Sequence, residues 1–214
     1  MSVEEIADTV EDFRHAALAA IEAGADGVEI HGANGYLPQQ FIAPNANIRD
    51  DQYGGSIENR ARFTVEVAAA VADAIGPERT AIRLSPGATL GGLDEGPESA
   101  DLYRHLVAEL AKLDLLYLHL YYFVPDDDLL RDVRSLWPGT LLLVRNGRSV
   151  EQVGDDVARG LADIAPLGSS ALANPDIVDR IRLGAPLNAP DPSTFYGGGA
   201  AGYTDYKTLS SAEV

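Results

Sequence analysis

Three side chains within six residues, His31, Asn34 and Tyr36, have the types and spacing to act together on one substrate. They lie in the run Ile30-His31-Gly32-Ala33-Asn34-Gly35-Tyr36-Leu37. An imidazole and an amide can donate jointly to one carbonyl oxygen, and a phenol with a pKa of about 10 can release a proton toward charge that develops nearby. That trio suits carbonyl activation. The competing assignment is structural, with His31 and Asn34 satisfying a buried turn. The preceding Asp26-Gly27-Val28-Glu29-Ile30 alternates in polarity, so the two-residue strand period puts Glu29 and His31 on one face and Val28 and Ile30 on the other. Glycines at 32 and 35 then let the backbone turn sharply and present Asn34 and Tyr36 beside His31.

The elements that must position this turn alternate along the chain. A first helix opens on a capping box from Ser2 to Glu5, repeats apolar residues at Ile6, Val10, Phe13, Ala17 and Ile21, and stops at Gly24. Strand 27–31 follows, then a long polar loop, then a helix over 59–75 ended by Gly76-Pro77. Strand 81–85, helix 98–113, strand 115–120, a short helix over 129–136 and strand 141–144 continue the pattern. Ser149 caps a helix through Arg159, residues 164–167 make a fifth strand, and Asn174-Pro175 starts a helix that Gly184 closes. Strand-helix units joined by right-handed crossovers make a parallel sheet or a barrel, with the polar loops after the strands where barrel enzymes keep their sites.

On the second strand Arg83 and Ser85 share a face, and on the third Tyr117, His119 and Tyr121 oppose Leu116, Leu118 and Leu120. These polar faces can converge. Glu29 and Arg83 are expected to pair inside the curve of the sheet, because an unpaired charge there is costly.

The chain has 214 residues, 46% of them apolar, enough for the core of one domain. A formal charge of -17, from 33 acidic against 16 basic residues, repels phosphate backbones and anionic lipid, so no nucleic-acid or membrane partner is expected. Cysteine is absent, which removes disulfides, thiolate metal sites and cysteine nucleophiles. His15 and His105 sit in helical patterns, and nothing falls at ligand spacing around His31 or His119, so no metal site is expected. The acidic start lacks a secretion signal and the longest apolar stretch is too short to span a bilayer, so a cytoplasmic protein is expected.

The run from Asp26 to Leu37 resembles the Old Yellow Enzyme family of flavin-dependent ene-reductases almost residue for residue. The segment Asn47 to Phe63, then Arg83-Leu84-Ser85-Pro86, Leu172-Ala173-Asn174-Pro175-Asp176, and Thr194 through Tyr206 are similar to the same family, most closely its N-ethylmaleimide reductase-like branch. The resemblance implies an eight-stranded β/α barrel of the TIM type holding FMN, reduced by NADPH or NADH, with hydride passing to the β-carbon of an activated alkene such as an enone, maleimide or nitroalkene. His31 and Asn34 match the pair that binds the substrate oxygen, and Tyr36 matches the proton donor to the α-carbon. Arg83 matches the cation at the pyrimidine edge of the flavin, where it would favour the anionic reduced ring; that role competes with a pairing to Glu29. Tyr196 matches an aromatic residue over the substrate pocket. Asn146, Gly147, Gly168 and Ser169 fall at the cofactor's phosphate end. Arg60 and Arg62 are expected to be surface charges at a helix start.

The departures are as specific as the matches. Three strands that precede this region in the family have no counterpart in this sequence, which reads as a single truncated β/α-barrel domain over 1–214 with about five strand-helix units. The family's Gly-Arg pair at the phosphate end is Gly168-Ser169 here, which removes a charge-assisted phosphate contact; Arg145 or Arg148 is the candidate replacement. Tyr121-Tyr122-Phe123-Val124-Pro125 is longer and more aromatic than the family's loop, which suits a plug over an open sheet edge or a role in specificity. The expected activity is reduction of an enone-like small molecule after pairing with an N-terminal half-barrel chain or a second copy. The alternatives are a flavin-free, redox-neutral acid-base enzyme, an isomerase or cyclase using His31, Asn34 and Tyr36, and a non-catalytic remnant.

Overall fold

A computed structural model describes residues 1–125, 127–197 and 199–209. Where the sequence suggests a single domain, the chain divides into two compact units, Met1–Gly147 with Asp155–Ala165, and Arg148–Gly154 with the residues from Pro166 onward.

The first unit opens with α1 (Val3–Glu22), whose Ser2 side chain accepts from the Glu5 N–H while the Glu5 carboxylate accepts from the Ser2 N–H, the expected capping box. Strand β1 (Val28–Gly32) follows, and then α2 (Leu37–Ile42), α3 (Ile57–Ile75), β2 (Thr80–Leu84), α4 (Ser99–Ala111), β3 (Tyr117–Tyr122), α5 (Asp128–Leu136), β4 (Thr140–Arg145) and the short α6 (Asp155–Ala158). The strands form one parallel sheet in the order β1-β2-β3-β4. The fifth strand expected over 164–167 is reduced to a single parallel bridge between Ile164 and Leu142.

Parity along the strands decides which side chains are buried. Ile30, Ile82, Leu84, Leu118, Leu120, Leu141 and Leu143 pack in one apolar core with Phe63 and Val67 of α3, Leu102, Leu106 and Leu110 of α4, and Leu130 and Val133 of α5. The opposite parity carries Glu29, His31, Arg83, Tyr117, His119 and Tyr121 on the other face of the sheet. One face is therefore a core and the other a polar surface, as the alternation predicts.

Three expectations change. The long polar loop after β1 contains α2, started by Tyr36 as N-cap with Pro38 in its first turn, a position where the missing N–H costs nothing. The helix expected from Ser149 to Arg159 is broken at Gly154 into a 3-10 turn over Val150–Gln152 and α6. Arg60 is no surface charge: it is 2% exposed and donates to the carbonyls of Gly55 at 3.1 Å and Ile42 at 2.8 Å and to Glu98 at 2.9 Å. Arg62 does lie nearer the surface, donating to the Gln52 carbonyl.

The second unit contains α7 (Ser169–Ala173) and α8 (Ile177–Leu183), the latter closed by Gly184 in the left-handed conformation, φ 63°, as the sequence predicts. Its polar staples come from the Leu172-to-Asp176 motif. The buried Asn174 amide donates to the Ser170 and Asn188 carbonyls and accepts from the Asn188 N–H, while Asp176 holds the buried Arg180 at 2.7 Å. Arg180 in turn donates to the Lys207 carbonyl at 2.8 Å.

Candidate active site

At the carboxyl end of β1 the backbone leaves the sheet at Gly32, where a Cβ would sit 2.9 Å from the Arg83 carbonyl oxygen of the neighbouring strand. Close approach, rather than a positive φ, is what requires glycine there. The left-handed residues are Asn34 (φ 55°) and Gly35 (φ 83°); Asn is one of the few L-residues that enter this region readily. The turn is pinned by the Tyr36 N–H to the Ala33 carbonyl at 3.1 Å and by the Asn34 N–H to the Ser85 hydroxyl at 2.8 Å.

These bonds bring the three predicted groups together. The His31 and Tyr36 rings lie 4.7 Å apart between centroids, tilted by 56°, and Tyr36 is 59% exposed. The Ala33 N–H points at His31 Nδ1 at 3.4 Å, so Nδ1 is the acceptor and the ring proton sits on Nε2, free to donate outward. Burial, reinforced by the Arg83 charge, pushes the His31 pKa below its ordinary value despite the opposing pull of Glu29, which keeps the imidazole neutral at pH 7. The side-chain oxygen of Asn34 is buried without a partner. A half-turn of that amide exchanges oxygen for nitrogen at the same place, so the group can meet either a donor or an acceptor. A neutral imidazole and an exposed phenol stand in ring contact, and the same turn carries an amide oxygen without a partner.

The sheet register puts Arg83 directly beside His31 on β2, and His119 beside Arg83 on β3. Arg83 does not pair with Glu29 as expected. Its guanidinium carbon lies 5.2 Å over the Tyr121 ring, and its Nε is buried without a partner. Glu29 instead accepts from His119 Nδ1 at 3.0 Å and from the Tyr117 hydroxyl. The physical reason is the small Ala81 that faces Glu29 across the ladder, over which the carboxylate reaches the third strand. Burial works against the Glu29 anion, but the hydrogen bond and charge of His119, helped by Tyr117 and Arg83, hold its carboxyl below the ordinary value. Tyr117 responds in the opposite sense: burial and the Glu29 charge push it up to about 12.

The aromatic run after β3 is not an edge plug, because β3 is an interior strand. Tyr121 faces the polar side under Arg83, with the Phe123 ring 4.5 Å away, and Tyr122 is buried in the core. At the proposed phosphate end the Tyr121 hydroxyl donates to Asn146 at 3.5 Å, and Gly147 adopts a positive φ of 79°. Arg145 is not a replacement phosphate ligand. It shares its parity with Leu141 and Leu143, lies over the buried Tyr122 ring, and is clamped by Asp127 at 2.5 Å and Asp156 at 2.7 Å. In the second unit Gly168 and Ser169 begin α7, Arg148 donates to the Gln152 carbonyl at 3.4 Å, and Tyr196 is 94% exposed.

Beneath the turn the structure adds residues that the sequence reading left out. Gln39, fully buried on α2, accepts from the Gly35 N–H at 2.7 Å and the Ser85 hydroxyl at 3.1 Å, and donates to the buried Glu95 at 2.7 Å. The available signal was the helix start itself, with Pro38 in the first turn and a glutamine three residues after the N-cap. Among the described residues no group of three or more His, Asp or Glu side chains is placed to hold a metal ion, and no helix is long and apolar enough to cross a membrane.

A parallel sheet backed by helices on one side, with the candidate site at the carboxyl end of its first strand, is the arrangement of part of a β/α barrel of the TIM type. This chain belongs to the NADH:flavin oxidoreductase / NADH oxidase family, which it matches over residues 1–188. It is 45% identical to a probable flavin mononucleotide-dependent alkene reductase of Leishmania infantum, over 96% of this chain and 57% of that protein. It is 43% identical to 12-oxophytodienoate reductase 2 of Arabidopsis thaliana, over 99% of this chain and 58% of that one. Its structure superposes on morphinone reductase solved with tetrahydroNAD at a TM-score of 0.91 and 45% identity, covering 98% of this chain and 57% of that one. An Old Yellow Enzyme homologue from Zymomonas mobilis gives a TM-score of 0.90 at 33% identity. The resemblance seen in the sequence holds, and the chain spans about three fifths of the length of these relatives, so it carries part of a barrel.

Proposed function

We propose that this chain carries the substrate-activating half of an FMN-dependent ene-reductase that reduces enones, maleimides or nitroalkenes with NADH or NADPH. The observation that supports the reading is the contact of neutral His31 with the exposed Tyr36 phenol, in a turn that also carries the partnerless Asn34 oxygen, with Arg83 beside His31 on the next strand and its buried Nε without a partner. An unsatisfied buried guanidinium N–H calls for an acceptor from outside the chain, which fits the electron-rich pyrimidine edge of a flavin ring. When bound, FMN supplies the hydride that reaches the alkene β-carbon. His31 Nε2–H and the Asn34 amide hold the carbonyl or nitro oxygen and stabilise the negative charge that gathers there. Tyr36 gives its proton to the α-carbon, so one hydride and one proton add across the double bond. Tyr196 is the proposed aromatic contact to substrate, and Asn146, Gly147, Gly168 and Ser169 the proposed neutral contacts at the phosphate end. The strands that complete the site at the free edge of β1 come from further polypeptide, an N-terminal half-barrel segment or a second copy.

A second reading, redox-neutral acid-base chemistry on an enone by the same trio, is favoured by one observation: Arg145 is spent on Asp127 and Asp156, and position 169 is serine. The experiment that separates the two is FMN titration of the purified chain followed by NAD(P)H oxidation dependent on 2-cyclohexenone. Enone-dependent oxidation that falls about 10²- to 10⁴-fold in Tyr36→Phe, with reduction of bound flavin by NAD(P)H spared, supports the reductase. Enone turnover without flavin or NAD(P)H overturns it in favour of the second reading.

A further inference from the structure

The left-handed turn that aims Asn34 is held from below by side chains outside the reacting trio. The Asn34 N–H donates to the Ser85 hydroxyl at 2.8 Å, and the Gly35 N–H donates to Gln39 Oε1 at 2.7 Å. Ser85 spends its own proton on that same Gln39 oxygen at 3.1 Å. Gln39 Oε1 thus collects both strands of the turn's support. Which way its amide faces is decided one step deeper, at Glu95, a side chain 5% exposed.

Glu95 is a buried carboxylate with four donors and, among the described residues, no ion pair. Its Oε1 accepts from Gln39 Nε2 at 2.7 Å and from the Tyr103 hydroxyl at 2.6 Å. Its Oε2 accepts from the Ser99 hydroxyl at 2.8 Å and the Gly87 N–H at 3.0 Å. Both oxygens are fully committed to donors, so the group works as an acceptor on both sides, and a buried side chain so placed fixes the direction of each neighbour's hydrogen bond. With Nε2 of Gln39 drawn to Glu95 and the Ser85 and Ala88 carbonyls, Oε1 has to face Gly35 and Ser85. A neutral amide at position 95 breaks this order: its NH2 faces either the Gln39 NH2 or the Gly87 N–H, neither of which can accept, and relieving the first clash by turning Gln39 sets an NH2 against the Gly35 N–H.

We infer that Glu95 and Gln39 are positioning residues that hold the Asn34-Gly35 turn, and through it the substrate-oxygen donors, in register with Arg83. The inference rests on the reading of His31, Asn34 and Tyr36 as the reacting site. Neither residue touches substrate; they act through the backbone of Asn34 and Gly35 and through Ser85. The energetic logic is local, since Asn34 and Gly35 sit in a region of φ and ψ that the chain leaves readily once its two N–H groups lose their acceptors.

The test is amide hydrogen exchange by NMR on the full chain, without cofactor or substrate. Glu95→Gln is expected to speed exchange of the Asn34 and Gly35 amides at least tenfold while Leu106 and Leu118 stay within twofold of the parent. Gln39→Met, which removes the acceptor of the Gly35 N–H and Ser85 hydroxyl without placing a carboxylate against the Ser85 and Ala88 carbonyls, is expected to speed Gly35 at least tenfold and decides the matter if Glu95→Gln does not fold. Ser85→Ala, which removes the Asn34 acceptor and one of the two donors to Gln39 Oε1, is expected to speed Asn34 most. Unchanged exchange at Asn34 and Gly35 in Glu95→Gln and Gln39→Met overturns the inference, as does loss spread evenly over all amides. In the assembled enzyme the matching expectation is a raised KM for 2-cyclohexenone in Glu95→Gln. Because exchange is read without turnover, failure of the reductase reading leaves this arm standing, and failure of this arm leaves the reductase reading standing.

Discussion

At the scale of single residues, the polar face of the sheet sorts its charges by reach rather than by sign alone. Glu29 passes over Ala81 to His119 and leaves Arg83 to Tyr121, so the one cation beside the reacting turn keeps an unspent N–H. That arrangement has a signature in pH. The folded Glu29 carboxyl titrates below its ordinary value of 4.5, so the native state favours its anion; the stabilisation is complete above about pH 4.5 and disappears as pH falls through the lowered folded value. Urea unfolding of the parent and Glu29→Gln is therefore expected to differ most at pH 6, with the difference shrinking progressively as pH falls below 4.5. A constant difference across that range would mean that Glu29 acts through packing instead of charge.

Elements position the site through glycine and one buried arginine. At Gly35 a methyl group would meet the Leu90 carbonyl at 2.9 Å, and the φ of 83° is itself strained for any L side chain. Gly35→Ala is expected to lower stability by more than about 1 kcal/mol, read as a reduced denaturant midpoint at unchanged m-value. Arg60 ties the end of α2, the Gly55 turn and Glu98 at the start of α4 into one frame behind that turn. Arg60→Ala strands the buried Ile42 carbonyl and removes the ties to Gly55 and Glu98, and is expected to cost about 1–3 kcal/mol by the same measurement. A loss within about 0.5 kcal/mol would return Arg60 to the ordinary surface charge that its place near a helix start suggests.

For the whole molecule, the acidic excess and the open sheet edge pull in opposite directions. The outer edge of β1 has no strand partner among the described residues and offers unpaired backbone groups to another strand. A formal charge of -17 opposes association between two copies, and salt screens that repulsion over a Debye length of about 8 Å at 0.15 M. If a second copy completes the site, sedimentation at fixed protein concentration is expected to show more dimer at 200 mM than at 20 mM salt. Mass that stays monomeric at both points to a half-barrel segment as the completing partner.

The sequence by itself determined whatever depends on neighbours along the chain. The Ser2 and Glu5 capping box, the Gly184 stop, the strand parity that separates Ile30 from His31, and the grouping of His31, Asn34 and Tyr36 are all set by periods of two or 3.6 residues and by the φ preferences of glycine. The motifs from Asp26 to Phe63 likewise made the family legible. Tertiary structure decided the pairings, because those depend on which side chains of different elements meet in space. Glu29 found His119 instead of Arg83; Arg145 turned to the helix side and two aspartates; Arg60 went inside; and Gln39, Ser85 and Glu95 joined under the turn. No local pattern specifies such contacts: a buried charge or amide takes whichever partner the packed elements bring within hydrogen-bonding distance, and only the folded sheet and its helices fix that distance.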